Sequence, residues 1–154
     1  MNVTVANSGM SEDHERSLVD LATIVLEAER VDPESSVVIR FVDDEAISLL
    51  NEQHMGKTGP TDVLSFPIED ASPGEPPVRL SGGPPLDLGD IFISTHVVKQ
   101  HADEYEVEFG DELHLMVCHG VLHLLGWDHI TDEEAVAMEA RETEHLAAVG
   151  RKRR

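Results

Sequence analysis

The chain has 154 residues, 40% of them hydrophobic, which suffices for one globular domain with its own core and excludes a disordered chain. The formal net charge is −20, and without the four basic residues at the end, the first 150 residues carry 31 acidic and 7 basic groups, a net charge of −24. Such a charge disfavours contact with nucleic-acid phosphates unless basic groups are concentrated locally. The single cysteine, Cys118, excludes an internal disulfide and is typical of a reducing compartment.

Strands and helices alternate in the first third of the chain. The segment "NVTVAN" alternates in polarity and predicts an opening strand. Apolar residues at helical spacing between Ser11 and Arg30 predict a first helix, and "SVVIRFV" predicts a second strand. Asp43 is the expected N-cap of a helix through "DDEAISLLNEQH", which Gly56 ends.

The middle of the chain predicts two more strands separated by a long loop. "TDVLSFP" is a short third strand that Pro67 closes, and residues 69–85 hold most of the prolines, which indicates a loop. "LDLGDIFIS" predicts a fourth strand. Ser94 then caps a helix through "THVVKQHADEY".

Two further helices complete the predicted fold. "DELHLMVCHGVLHLL" is a mostly apolar helix stopped by Gly126, and Thr131 with Glu134 forms a capping box for the last helix. This order predicts an α+β fold in which about five helices pack on a single mixed four-stranded sheet. Residues 1–150 are expected to form one domain, and "RKRR" at 151–154 a basic tail that is a candidate for RNA binding.

Three histidines within "HGVLHLLGWDH" predict a metal site on the late helix and the turn after it. His119 and His123 are four residues apart and therefore lie on one helix face. Gly126 can take a left-handed conformation that ends the helix and brings His129 back toward the other two. Three imidazoles with one vacant position are typical of a catalytic zinc site, so we expect one Zn²⁺ per chain.

Neighbouring residues are weaker candidates for the site. His114 lies on the opposite side of the helix from His123, and Cys118 points about 100° away from His119, so we expect a packed thiol there. Asp128 adjoins His129 and could either orient a ligand through a hydrogen bond or replace one; we favour the first because imidazole suits zinc.

The histidine spacing is nearly the metzincin peptidase signature, but Gly120 stands where that signature has its glutamate base. A peptidase needs that base to deprotonate water and to protonate the leaving amine, so peptide cleavage is disfavoured. Phosphodiester cleavage depends more on stabilisation of the developing charge. The metal-bound water is the only catalytic group that the residues identify.

Three segments together resemble the YbeY family of bacterial endoribonucleases: "HGVLHLLGWDH", "GPTDVLSFP" and "LGDIFIS". The resemblance implies a zincin-like fold with zinc on His119, His123 and His129. It also implies a single-strand-specific endoribonuclease that acts in 3′ end maturation of small-subunit (16S) ribosomal RNA and in ribosome quality control. The implied partners are ribosomal RNA, small ribosomal subunit proteins and an Era-like GTPase.

The segment before the second motif departs from the family pattern. Many members carry an arginine there, and this chain has Met55. Lys57 is the candidate for the missing charge, although lysine lacks the fork that suits phosphate. Thr61, Asp62 and Ser65 are further candidates for substrate binding, and hydrogen bonds to the local backbone are the alternative role for Thr61 and Asp62.

The sequence leaves three functions open: a zinc-dependent endoribonuclease, a zinc hydrolase of a non-RNA substrate, and a non-catalytic ribosome assembly factor.

The first residues lack the basic and apolar regions of a signal peptide, and no apolar stretch is long enough to span a membrane. A cytoplasmic protein is expected.

Overall fold

The computed structural model describes residues 1–154 and contains one four-stranded sheet in the order β1-β2-β4-β3. Strand β1 pairs with β2 and β2 with β4 in parallel, whereas β3 pairs with β4 in the antiparallel direction. The sheet is therefore mixed, as predicted. The strands are β1 (Asn2–Ala6), β2 (Ser35–Phe41), β3 (Val63–Pro67) and β4 (Leu86–Ile93).

Five helices surround this sheet, and with it they confirm the α+β class. Four of the five begin at a polar residue whose side-chain oxygen accepts a hydrogen bond from a backbone N–H of the first turn: Ser11, Asp43, Ser94 and Thr131. The helices are α1 (Glu12–Ala28), α2 (Asp44–Met55), α3 (Thr95–Glu104), α4 (Phe109–Leu124) and α5 (Asp132–Ala148).

The start of α4 differs from the prediction. The helix begins at Phe109, two residues before the predicted Asp111, and its N-cap Glu108 makes no capping hydrogen bond through its side chain. Phe109 packs against the hydrophobic core instead. Packing rather than a local capping signal sets this boundary, which explains why the sequence pattern placed it late.

Helix α4 is the central helix of the fold. Eleven of its 16 residues are buried, and it packs against α1, α3, α5 and the strands β3 and β4. Its side chains form part of one hydrophobic cluster of 25 buried residues that also includes the inner face of β2 and β4. A helix held on so many sides gives the residues on its C-terminal half fixed positions.

The segment 69–85 is a long loop, as predicted, with one isolated bridge between Ser72 and Glu75. It approaches the turn after α4 closely, because a Cβ atom on Gly126 would lie 2.2 Å from the carbonyl oxygen of Ala71. Gly126 has φ of +92°, so both its backbone conformation and this contact require glycine.

No helix of the fold combines the length and the apolar character that crossing a bilayer demands.

Candidate metal centre

Helix α4 presents the first two histidines on one face of its last turns. The Nε2 atoms of His119 and His123 lie 2.9 Å apart, and the rings meet edge to face with centroids 4.4 Å apart. The spacing of four residues produces this contact, because side chains at i and i+4 lie above one another on a helix.

The turn after α4 brings the third histidine to the same place. Gly126 and Trp127 donate their backbone N–H groups to the carbonyls of His123 and Leu122, which reverses the chain. The His129 ring centroid then lies 5.2 Å from that of His119 and 5.1 Å from that of His123. One ligand nitrogen from each of the three rings lies within 4.8 Å of the other two.

Hydrogen bonds assign the tautomers of the two helical histidines. The Nδ1 atom of His119 lies 2.8 Å from Oε2 of Glu142, and the Nδ1 atom of His123 lies 2.8 Å from the carbonyl oxygen of Trp127. Both partners, an ionised carboxylate and a backbone carbonyl, can only accept, so each Nδ1 carries the proton. In the neutral rings the two Nε2 lone pairs therefore face each other.

Two lone pairs 2.9 Å apart repel unless a proton or a metal ion lies between them. Ligand nitrogens of a tetrahedral zinc site with bonds of 2.0–2.1 Å are roughly 3.4 Å apart, so the observed spacing needs only a small adjustment. The donor set of His119, His123 and His129 thus fits a metal ion. This is the observation in the structure that most directly indicates a metal centre.

The electrostatics of the site favour the ligand form of the His123 imidazole. Burial, followed by the neighbouring His119, lowers the pKa of His123 to about 4, so the ring is neutral at physiological pH. Neutral imidazole is the form that binds metals. Burial alone would raise the pKa of Glu142, but the hydrogen bond from His119 and the charge of Arg153 outweigh it and lower that pKa below its usual value.

The absence of a fourth protein ligand distinguishes this centre from a closed structural site. Cys118 is buried in the core, where desolvation raises the pKa of its thiol and keeps it protonated. Three nitrogens without a thiolate would leave a bound ion one further coordination position, on the side of a groove of about 450 Å³.

Glu142 on α5 is the residue of the centre that the sequence patterns did not identify. Its side chain is 2% exposed and bonds directly to His119. A sequence signal does exist, because Glu142 lies between Met138 and Leu146 at intervals of four and so shares their buried helix face. A glutamate on an apolar stripe indicates a buried partner, and here the partner is the histidine.

Asp128 performs a different task from the one expected of it. Its Oδ1 accepts a hydrogen bond of 2.8 Å from the backbone N–H of His129 and contacts no imidazole nitrogen of the centre. Asp128 therefore fixes the turn that carries His129. The groups that orient imidazoles are Glu142 and the carbonyl of Trp127.

The groove next to the histidines is lined by all four predicted substrate-binding residues, Lys57, Thr61, Asp62 and Ser65. Ser65 donates its hydroxyl hydrogen to the carbonyl of Gly120 at 3.0 Å and so connects β3 to α4. Asp62 accepts from the backbone N–H of Val63 at 2.8 Å and contacts His101 at 3.1 Å. Lys57 is exposed and makes no ion pair, which leaves its ammonium group available.

Gly120 has no side chain that could act as a base, and the packing of α4 against the sheet also favours glycine at this position. A Cβ atom at this position would lie 2.7 Å from Cγ2 of Ile91 on β4. The helix therefore lies against the sheet at the position where the metzincin signature has its glutamate, and a side chain here would displace that of Ile91.

We expect Gly120→Ala to lower the free energy of unfolding by up to about 2 kcal/mol, because overpacking costs about 1–3 kcal/mol and alanine recovers about 1 kcal/mol of helix propensity. Denaturant unfolding measures this. The Gly120→Ala/Ile91→Ala double variant should lose less stability than the two single variants together, because the second change removes the clash. Strictly additive losses would contradict the contact.

His114 lies away from the centre, as predicted. Its Nδ1 lies 2.7 Å from the carbonyl of Gly110 and its Nε2 lies 2.7 Å from Oγ of Ser17, so it joins α1 to the start of α4. Burial lowers the pKa of His114, and Arg151 lowers it further while Asp111 acts in the opposite sense.

This depressed pKa predicts a pH dependence of stability. Below the unfolded-state pKa of about 6.5, His114 binds a proton in the unfolded chain but stays neutral in the folded protein. The free energy of unfolding therefore falls as the pH is lowered through this range. The His114→Gln variant has no titrating group at this position. Compared in the absence of metal, it should lose less unfolding free energy between pH 7 and pH 5 than the parent chain. An equal loss in the two proteins would contradict the buried neutral form.

Comparisons with known proteins give one consistent family. A family model described as Endoribonuclease YbeY matches residues 2–150. Proteins named Endoribonuclease YbeY from Acidothermus cellulolyticus and Moorella thermoacetica are 38% identical over 149 residues and 46% identical over 126 residues. These alignments cover 96% and 82% of this chain, and 91% and 80% of the relatives. The solution structure of TM1509 from Thermotoga maritima is similar with a TM-score of 0.65 at 26% identity, covering 96% of this chain and 88% of that one.

Proposed function

The chain belongs to the YbeY family of endoribonucleases, and we propose that it cleaves single-stranded RNA at the centre formed by His119, His123 and His129. The proposed biological role is 3′ end maturation of small-subunit (16S) ribosomal RNA and ribosome quality control. The observation that carries the proposed site is the pair of Nε2 atoms 2.9 Å apart beside an open groove, a pair that a metal ion would hold together. Family membership favours RNA over the alternative substrates considered above.

The proposed metal is zinc, one ion per chain. Three neutral imidazole nitrogens without thiolate or carboxylate suit zinc, and the hard oxygen ligands that magnesium prefers are missing from the donor set. When bound, zinc supplies Lewis-acid polarisation of a phosphoryl oxygen and activation of water at neutral pH. Glu142 and the carbonyl of Trp127 hold the Nδ1 protons of their histidines, so the Nε2 lone pairs stay directed at the centre.

The groove beside the centre is proposed to hold the RNA backbone. Lys57 follows the C-terminus of α2, and the side-chain amide of Asn51 bonds to the carbonyl of Gly59 at 3.0 Å, which fixes the loop that carries the lysine. The ammonium group of Lys57 can then pair with a phosphate as a point charge. Met55, at the position of the family arginine, is 53% exposed, also lines the groove and offers apolar contact only.

The negative charge of the protein favours recognition of RNA in a ribosomal context. A net charge of −20 repels naked RNA, and Lys57 is the single cationic side chain in the groove lining. Small ribosomal subunit proteins and an Era-like GTPase, proposed as partners, could hold the RNA in place and offset this repulsion. The proposed location is the cytoplasm, where ribosomal RNA is processed.

The experiment that tests this function compares three substrates with the zinc-loaded protein: intact small subunits, naked ribosomal RNA and an unfolded protein. We expect cleavage of RNA, faster in the intact subunits, and no cleavage of the unfolded protein because Gly120 supplies no general base. Proteolysis that a chelator abolishes and that survives repurification would overturn the proposal. So would a complete lack of RNA cleavage in both the intact subunits and the naked ribosomal RNA.

A further inference from the structure

The four C-terminal residues fold back onto the helices of the metal centre. They lie beyond residues 2–150, which the family model matches. The backbone N–H of Arg151 bonds to the carbonyl of Leu146 at 2.9 Å, which turns the chain at the end of α5. Three of the four basic side chains then pair with acidic groups: Arg151 with Asp111, Arg153 with Glu142 and Glu139, and Arg154 with Glu112.

These ion pairs give the tail a different role from the RNA contact that its composition suggested. An arginine already bonded to a carboxylate is not free to neutralise a phosphate unless that pair breaks. Breaking the pairs of Arg153 or Arg154 would leave Glu142 or Glu112, whose side chains are 2% and 0% exposed, buried without a cation.

Arg153 is connected to a metal-site histidine through a single carboxylate. Its Nε lies 3.1 Å from Oε1 of Glu142, and the other carboxylate oxygen, Oε2, lies 2.8 Å from Nδ1 of His119. Each oxygen of Glu142 thus has one donor, and the two donors together fix the plane of the carboxylate. The Arg153 side chain is only 19% exposed, so solvent competes weakly for this contact.

No other lysine or arginine pairs with Glu142. A buried carboxylate needs both charge compensation and hydrogen bonds to keep one orientation, and Arg153 provides both at the oxygen that His119 does not use. Without Arg153, the carboxylate would be free to rotate toward other donors or to admit water, and the His119 ring would lose its fixed orientation.

We propose that Arg153 is a positioning residue of the metal centre, which acts through Glu142 to direct the Nε2 lone pair of His119 at the ion. The inference rests on the proposed role of His119 as a metal ligand. In this chain the C-terminal tail would therefore complete the centre, and its basic residues would neutralise acidic groups of α4 and α5.

The test measures zinc affinity of the full-length chain at one fixed pH by competition with a chromophoric chelator. Arg153→Ala is expected to weaken zinc binding about 10-fold, at the lower end of the effect of losing a group that orients a ligand. Arg153→Lys should restore much of the loss because it keeps the charge, although it lacks the planar fork. The visible absorption band of the cobalt-substituted protein should shift in Arg153→Ala, which reports a changed ligand geometry.

Two other tail positions provide matched controls. Arg154→Ala removes an equally buried ion pair, but its partner Glu112 does not contact a histidine of the centre, so it should lower stability and leave zinc affinity unchanged. Lys152 is exposed and unpaired, and Lys152→Ala should change neither property.

The outcomes separate this inference from the proposed function. If the parent chain binds no zinc, the metal centre itself is wrong and the inference falls with it. If the parent binds zinc and Arg153→Ala binds it equally well, the positioning role is wrong and the centre stands. Zinc affinity that falls equally in Arg153→Ala and Arg154→Ala would indicate general destabilisation and would also overturn the inference. Should Arg153→Ala fail to fold, Arg153→Lys and Arg153→Gln provide the same comparison.

Discussion

Replacement of His123 by alanine is expected to weaken zinc binding by more than about 100-fold. Loss of a group that merely orients a ligand costs about 10–100-fold in metal affinity, and His123 is proposed as a ligand itself. The change leaves two nitrogens, those of His119 and His129, which cannot hold the ion in a tetrahedral site with a single open position. Equilibrium dialysis with metal analysis measures the effect.

His114→Ala provides the matched control, because it removes an imidazole from the same helix on its far side. Its ring bonds to Ser17 and Gly110 and contacts no atom of the centre, so zinc content should remain about one ion per chain even if stability falls. Equal loss of zinc in the two variants would show that the assignment of helix faces is wrong.

Removal of the metal is expected to lower the rate of RNA cleavage by about 10³-fold or more. Lewis-acid stabilisation is worth several kcal/mol of the activation barrier, and each 1.36 kcal/mol corresponds to a factor of ten in rate. The groove lining offers no replacement for this charge except Lys57, which is exposed and screened by water. Cleavage of single-stranded RNA before and after chelation measures the loss.

Addition of zinc to the chelated protein should restore cleavage, and addition of zinc to chelated His123→Ala should not. A contaminating nuclease would recover its activity in both preparations, so a difference between them shows that the cleavage comes from this protein. Cleavage that persists without metal in the parent chain would contradict a metal-dependent reaction.

Local signals in the sequence predicted the elements of the fold well, because helix caps act over three or four residues. Asp43, Ser94 and Thr131 each accept the expected N–H bond, and Ser11, which was not predicted as a cap, does the same for α1. At the capping box the Thr131 hydroxyl also donates to the carboxylate of Glu134, in place of the reciprocal bond from the backbone of Thr131 that the motif implies. The start of α4 lacked such a signal and was misplaced by two residues.

The histidine cluster was predictable for the same reason, since one helical turn and one glycine turn bring the three rings together. The assignment of zinc to them stays a prediction. Glu142 and Arg153 were not identified, because they reach His119 from 23 and 34 residues further along the chain through the packing of α5 and the tail against α4. The requirement for Gly120 likewise depends on Ile91, a contact between helix and sheet that no local pattern encodes.

The measurement that tests the central claim most directly is zinc K-edge X-ray absorption of the zinc-loaded full-length chain. We expect three imidazole nitrogens at roughly 2.0–2.1 Å, one further light scatterer in the open position, and no sulfur at roughly 2.3 Å. In His123→Ala the three-imidazole signal should be lost. A sulfur scatterer, or a spectrum with fewer than three imidazoles in the parent chain, would contradict an open centre built from His119, His123 and His129.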